Sequence, residues 1–195
     1  MENKIKAIET EYNGYRFRSR LEARWAVFFD AAGIEYEYEP EGYVLEDGRY
    51  YLPDFFLSDF NIHAEIKPCR EADDGKAEEF GLSPITAGIL ICYGLPSDHD
   101  LRFVTMYESD ESGDGDYDTD WGRYNNVWFA RYADNNTPCI YVKDAKSGRI
   151  FFQATDVGCD YEMRGNVYVN NAFADAEIAA KSARFEYGEI PIIRK

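Results

Sequence analysis

Histidine is nearly missing from this chain, with two residues in 195, and its four cysteines stand at least twenty positions apart with no Cys-x-x-Cys. Zinc sites need closely spaced soft ligands, so Cys69, Cys92, Cys139 and Cys159 read as reduced, incidental thiols. Basic residues are also short: 21 Lys and Arg face 37 Asp and Glu, for a net charge of −16. The molecule as a whole therefore repels phosphate backbones and anionic membrane surfaces. Any nucleic-acid contact has to come from a local basic patch or a bound cation. Long apolar runs are lacking as well. The uncharged stretch from Phe80 to Ser97 spans eighteen residues, but Gly81, Pro84, Gly88, Gly94 and Pro96 interrupt it. It predicts a buried strand at Gly88 to Tyr93 rather than a membrane span. Met1 to Ile8 alternates charge with apolar residues and has no secretory apolar core, which gives the expectation of a cytoplasmic protein.

What is present is 45% apolar and 16% aromatic residues, enough for a real core. The length predicts one α/β domain over 1–195. Its core is expected at about 12–107, followed by an acidic loop at 108–120 and by accessory strands and a C-terminal helix over 121–195. Ser19 to Ala32 places Leu21, Trp25, Phe28 and Ala32 on one helical stripe, with Gly33 as the stop. Ile34 to Glu39 alternates as a strand. Tyr43 to Leu45 and Arg49 to Leu57 read as two arms of a hairpin across Asp47-Gly48. Asn61 to Lys67 sets Ile62, Ala64 and Ile66 on one strand face and His63, Glu65 and Lys67 on the other. A short helix is expected within 71–80, and further strands at 101–107, 126–132, 139–142 and 149–154. Asn171 to Tyr187 predicts a helix closed by Gly188.

Glu108 to Asp120 carries seven carboxylates and no base, as expected of a solvated loop. Asp114, Asp116 and Asp118 alternate as in an EF-hand. That motif, however, wants Gly at its sixth place and Glu at its twelfth, where this chain has Thr119 and Asn125.

Four acidic-x-Lys triplets occur, at Glu2, Glu65, Asp74 and Asp144, and spacing alone does not choose among them. Only Glu65-Ile66-Lys67 lies on an alternating strand with an apolar opposite face. Eleven positions before Glu65 stands Asp54, in the only Pro-Asp of the chain. Hydrolysis of a phosphodiester calls for Mg²⁺ held by hard oxygen ligands, with Mn²⁺ as a possible substitute. Asp54 and Glu65 are candidates to supply such oxygens. Lys67 projects to the same side as Glu65, where it can orient a water or stabilise developing charge.

Phe17 to Ala26 (FRSRLEARWA), Tyr36 to Pro40 (YEYEP), Leu52-Pro53-Asp54-Phe55 and Glu65-Ile66-Lys67 together resemble the PD-(D/E)xK nuclease superfamily, and more narrowly its small phage and prophage members. The resemblance covers Tyr12 to Pro68, about a third of the chain, with looser agreement at Gly88 to Pro96 and Ala183 to Glu189. It implies a restriction-endonuclease-like mixed β-sheet flanked by helices, and Mg²⁺-dependent hydrolysis of nucleic acid, DNA above all. It further implies Glu22, Asp54 and Glu65 as metal ligands, the Ile66 carbonyl as another, and Lys67 as the charged helper.

Competing expectations attach to several of these residues. Ser19-Arg20-Leu21-Glu22 also spells a capping box, and Glu65 with Lys67 could be a plain exposed ion pair. His63 is expected at a sheet edge. Arg16, Arg18, Arg20 and Arg24 could track a nucleic-acid backbone beside the metal, or could offset carboxylates such as Glu11 and Asp30. Tyr36, Tyr38, Tyr43, Tyr50 and Tyr51 are expected in packing more than in base stacking. A rival reading of the whole chain is a non-enzymatic phage inhibitor on the same scaffold, whose acidic surface imitates DNA to bind a host protein. A nuclease subunit relying on a basic protein partner would reconcile the two. No membrane association is expected.

Overall fold

A computed structural model describes residues 7–106, 122–132, 137–143, 150–153, 160–161, 167–168 and 172–185. The acidic segment 108–120 with its EF-hand-like alternation, the 144–148 connection, Cys159 and Gly188 lie outside the described residues.

The chain begins with a short antiparallel hairpin, β1 (Thr10–Tyr12) and β2 (Tyr15–Phe17). Asn13 and Gly14 at its turn both have positive φ, 48° and 83°. Asn-Gly accepts this conformation readily and matches the twist of the flanking strands. Helix α1 (Arg20–Ala32) follows, with Ser19 as N-cap and Gly33 as a left-handed C-cap at φ 70°. The backbone N–H of Gly33 donates to carbonyls of the last turn. Next come β3 (Tyr36–Tyr38), then β4 (Tyr43–Val44) and β5 (Tyr50–Tyr51), paired as a separate two-stranded ribbon around Asp47-Gly48.

The arm expected to run unbroken from Arg49 to Leu57 is split. Pro53 has no N–H to donate to a ladder, and β6 (Phe55–Leu57) begins beyond it in a different sheet. β7 (Ile62–Lys67), α2 (Gly75–Gly81) and β8 (Ile89–Tyr93) form a parallel crossover unit. A single 3₁₀ turn at Pro96–Asp98 leads to β9 (Asp100–Val104), and β10 (Arg123–Tyr124) pairs with it. The 80–97 stretch thus resolves into a helix end, turns, β8 and this 3₁₀ turn. No described helix is long and apolar enough to cross a membrane.

These strands make a six-stranded mixed sheet in the order β10-β9-β8-β7-β6-β3, parallel at β7–β8 and antiparallel elsewhere. A second, antiparallel sheet contains β11 (Val127–Tyr132), β12 (Pro138–Lys143), β13 (Ile150–Gln153), β14 (Asp160–Tyr161) and β15 (Val167–Tyr168), in the order β14-β13-β12-β11-β15. Helix α3 (Ala174–Ser182) is shorter than the 171–187 pattern, its last turn closed by the Ala183 N–H on the Ala180 carbonyl. The architecture is α/β, a mostly antiparallel mixed sheet with helices.

Burial on α1 is wider than the single stripe of Leu21, Trp25, Phe28 and Ala32: eight of its thirteen residues are buried, although Leu21 itself is only half-buried. Trp25, Phe28 and Ala32 are joined by Ala23, Ala26, Val27 and Phe29, each no more than 2% exposed. The reason is that α1 has neighbours on two sides. The inner face of the large sheet, with Phe55, Ala64, Leu90 and Phe103, packs in one cluster with the helix. Val127, Ile140, Val142 and Phe173 of the later segments join the same cluster. The small residues Ala176 and Ala180 let α3 approach closely.

The opposite face of β7 is also covered. His63, Glu65 and Lys67 were expected on a polar, open face, yet His63 and Glu65 are buried beneath Tyr43, Tyr51 and Phe80 of the ribbon and α2. Strand β7 is central, not an edge. A carboxylate that lies in the last turn of α1, Asp30, faces the negative end of the helix dipole and has no basic residue near it in that turn. Burial pushes its pKa up, against hydrogen bonds from Tyr12, Tyr36 and Asn13 that pull it down. A raised folded-state pKa favours the protonated native state, so this contribution is fully present below the unfolded value of about 3.9 and is lost as pH rises through the folded value. Asp30→Asn is accordingly expected to stabilise the protein at pH 7, read as a rise in Tm. Thermal melts from pH 4 to pH 8 should show the gain shrinking toward acid pH; a gain that grows toward acid pH would contradict the argument.

Candidate metal and phosphodiester site

The site is built where β6 stops. Pairing between β6 and β7 ends at Phe55 opposite Ala64, which leaves Asp54 opposite Glu65 one step beyond the ladder. Within β7 the odd-numbered residues bond toward β8: the His63 N–H donates to Gly88, and the Lys67 carbonyl accepts from Gly94. The N–H and C=O of Ile66 therefore face the side that β6 has just vacated. The Ile66 N–H donates to Asp54 Oδ2 at 2.8 Å, so the side chain of Asp54 takes the place a further strand residue would occupy. The Ile66 carbonyl is aimed into the same gap.

Each of the two carboxylates is held by one neutral and one cationic donor. Asp54 accepts from the Ile66 N–H on Oδ2 and from Arg18 Nη2 on Oδ1 at 3.0 Å. Glu65 accepts from the Tyr51 hydroxyl on Oε2 and from Lys67 Nζ on Oε1, both at 2.8 Å. Asp54 is 4% and Glu65 8% exposed, so Glu65 with Lys67 is not an exposed ion pair. Burial pushes the pKa of Asp54 well above the usual carboxylate range, and the charges of Glu65 and Glu22 add to that. Burial and the Glu65 charge push the Tyr51 hydroxyl upward too, which keeps it a proton donor.

Glu22 is occupied differently. Its Oε1 accepts from Ser19 Oγ at 2.7 Å, while Ser19 Oγ in turn accepts from the Glu22 N–H. Its Oε2 accepts from the Tyr38 hydroxyl at 2.6 Å and from the Arg18 N–H. The capping arrangement is thus the one realised. Among the described residues no group of three or more His, Cys, Asp or Glu side chains is arranged to hold a metal. Glu22 contributes charge near Asp54 but does not join it and Glu65 in a three-carboxylate group.

The arginines do not form one stripe. The extended segment stops at Phe17, and Arg20 opens α1. Arg16 pairs with Glu9, and Arg18 with Asp54 and Glu39; the contact to Glu39 is a charge pair without hydrogen-bond alignment. Arg24 Nε is buried and has no hydrogen-bond partner. His63 lies inside the sheet and not at an edge: its Nε2 is 3.1 Å from the Tyr43 hydroxyl and its Nδ1 2.9 Å from Thr86 Oγ1. The Thr86 hydroxyl donates to the Gly88 carbonyl, so Nδ1 carries the imidazole proton and Nε2 accepts from Tyr43. Burial lowers its pKa to about 4, and it is a neutral core residue.

Two contributors escaped the sequence pattern, Tyr38 and Tyr51. Both were expected in packing, and both do pack. Their hydroxyls nonetheless fix the rotamers of Glu22 and Glu65. Period-two alternation tells which face a tyrosine takes, not which carboxylate its hydroxyl meets.

Two buried carboxylates on neighbouring chain segments, beside the peptide edge that β6 leaves open, are hard oxygen donors of the type a divalent cation takes, with the Lys67 amine beside Glu65. No family model matches the chain, and no curated protein or solved structure matches it either.

Proposed function

We propose that this protein is a Mg²⁺-dependent phosphodiesterase acting on nucleic acid, DNA foremost, with a restriction-endonuclease-like core of the PD-(D/E)xK type. The observation that supports this most is the mutual placement of Asp54, Glu65, the Ile66 peptide and Lys67 around the end of β6. Asp54, Glu65 and the Ile66 carbonyl would hold the cation. When bound, it neutralises charge at the scissile phosphate and acidifies a water. The chain's own part is preorganisation. The Ile66 N–H and the Tyr51 hydroxyl lock the two carboxylates before any substrate arrives. Lys67, its side chain only 20% exposed, keeps an ammonium beside Glu65, where it can orient a water and offset charge developing on the phosphate. The ribbon β4–β5 and α2 exclude bulk water from that face. Phage or mobile-element origin follows from the sequence resemblance alone.

Cation binding has a readout of its own. With Mg²⁺ at about 100 times its dissociation constant, linkage predicts about 2.7 kcal/mol of added stability, or roughly 5–10 °C in Tm for a chain of this size. Glu65→Gln retains an acceptor for Lys67 and a polar partner for Tyr51. It is expected to melt no lower than wild type in chelator and to lose the Mg²⁺ response. A wild-type protein whose melting is indifferent to both Mg²⁺ and Mn²⁺ would remove the cation from this site. The rival, a DNA-mimicking inhibitor, draws on the net charge of −16; it predicts capture of a host protein with no cleavage at any cation concentration.

A further inference from the structure

The two carboxylates of the site are balanced by two cations of unequal freedom. Lys67 is enclosed, but the side chain of Arg18 is 58% exposed and stands at the mouth of the site. Its guanidinium engages Asp54 through Oδ1, the oxygen that the Ile66 N–H leaves open. A divalent cation shared by Asp54 and Glu65 needs that same oxygen and would repel the guanidinium from it. Arg18 keeps a second anionic neighbour, Glu39, outside the carboxylate pair. Its backbone, rather than its side chain, serves the α1 cap, because the Arg18 N–H donates to Glu22 Oε2 and Tyr38 Oη. The side chain also meets Tyr38 but makes neither of these two cap bonds, so both are kept when it leaves Asp54.

We propose that Arg18 stands in for the divalent cation at Asp54 when the site is cation-free, and that, once displaced by the cation, it becomes the arginine that contacts a phosphate of the bound nucleic acid. A guanidinium presents a planar pair of donors suited to phosphate, and released at the mouth it is a cationic side chain beside the carboxylate pair that stays open to solvent. The displacement links the two binding events: the charge that a cation-free site uses internally is turned outward only after the cation arrives. An acidic molecule would in this way reserve a phosphate contact for its loaded state. This inference rests on the reading of Asp54 and Glu65 as a cation pair.

The test uses full-length wild type, Arg18→Gln and Arg18→Lys. Titration calorimetry with Mg²⁺ alone is expected to show Arg18→Gln binding the cation about 3–10-fold more tightly than wild type, because a competitor for Asp54 has gone. Binding of a short DNA duplex is then followed across salt concentration, in chelator and in Ca²⁺ in place of Mg²⁺. With Ca²⁺, Arg18→Gln is expected to lose about 0.9 from the slope of log K against log salt, the value of one phosphate contact. In chelator the slopes of the two proteins should coincide, since Arg18 is then tied to Asp54. Arg18→Lys should restore the slope but bind the duplex more weakly than wild type. Equal or weaker Mg²⁺ binding by Arg18→Gln overturns the proposal, as does a slope difference that is the same with and without Ca²⁺. If wild type binds neither Mg²⁺ nor Ca²⁺, the cation pair itself fails and this inference falls with it. A wild type that binds cation with no change on substitution would sink only the role of Arg18.

Discussion

Asp54→Asn is expected to reduce Mg²⁺-supported plasmid cleavage by about 10²–10⁴-fold, and Lys67→Met by about 10²–10³-fold, with the far-ultraviolet circular dichroism of both proteins unchanged. The two substitutions act on different parts of the same arrangement. Asp54 is held at its position by the Ile66 N–H, so Asn can keep that hydrogen bond while losing the charge that a cation requires. Its amide would then face Arg18, donor against donor, which costs the local geometry more than the fold. Lys67→Met retains the apolar stem along β7 but removes the ammonium from Glu65 Oε1. If Lys67 acts on the water and the phosphate and does not hold the cation, Lys67→Met should keep the Mg²⁺ shift in Tm that Glu65→Gln loses. Cleavage at the wild-type rate in both variants would show that the activity lies elsewhere in the molecule, or in a contaminant.

Trp25→Ala is expected to be the most destabilising single change on α1. The indole is 1% exposed and meets the rings of Phe28, Phe29 and Phe129 at centroid distances of 5.5, 5.7 and 6.3 Å. Its Nε1 donates to the Gly94 carbonyl at 2.9 Å. Truncation to Ala removes the ring for about 3–5 kcal/mol and leaves that carbonyl short of a partner for about 1–3 kcal/mol more. Against a total stability of roughly 5–15 kcal/mol, such a loss is enough to unfold a marginal domain. Trp25→Phe separates the two effects. It retains most of the volume and loses only the hydrogen bond and part of the packing, for an expected cost of about 1–3 kcal/mol. The Gly94 N–H donates to the Lys67 carbonyl, so the indole also braces the end of β7 that carries the site. Urea denaturation of the three proteins checks the ranking; a Trp25→Phe protein as unstable as Trp25→Ala would mean the hydrogen bond, rather than the ring volume, dominates.

Local patterns carried much of the reading. The start and stop of α1 were legible because Ser19 and Gly33 act within one or two turns of their own position. The strand at Ile62 to Lys67 was legible because alternation is a local signal, and the break at Pro53 could have been read from the missing N–H. The hairpin at Asn13-Gly14 also carries a local signal, since that dipeptide accepts the positive φ of a tight turn. What stayed illegible was which surfaces face solvent. Glu65 and Lys67 looked equally at home on an open face, and only the ribbon and α2, placed there by the parallel β7–β8 crossover, bury them.

The sequence by itself determined the helix α1 with its caps and a strand with Glu65 and Lys67 on one side. Those features depend on backbone propensities and side-chain spacing over a few residues. The capping box of Ser19 and Glu22 was legible too, as one of two readings of Glu22. The tertiary structure alone decided that Tyr38 and Tyr51 hold the carboxylates of Glu22 and Glu65 and that Arg18 sits on Asp54. These are contacts between residues fourteen to thirty-six positions apart. Their geometry is set by where β6 ends and by how the sheet packs, and neither is written in the spacing of the residues that meet.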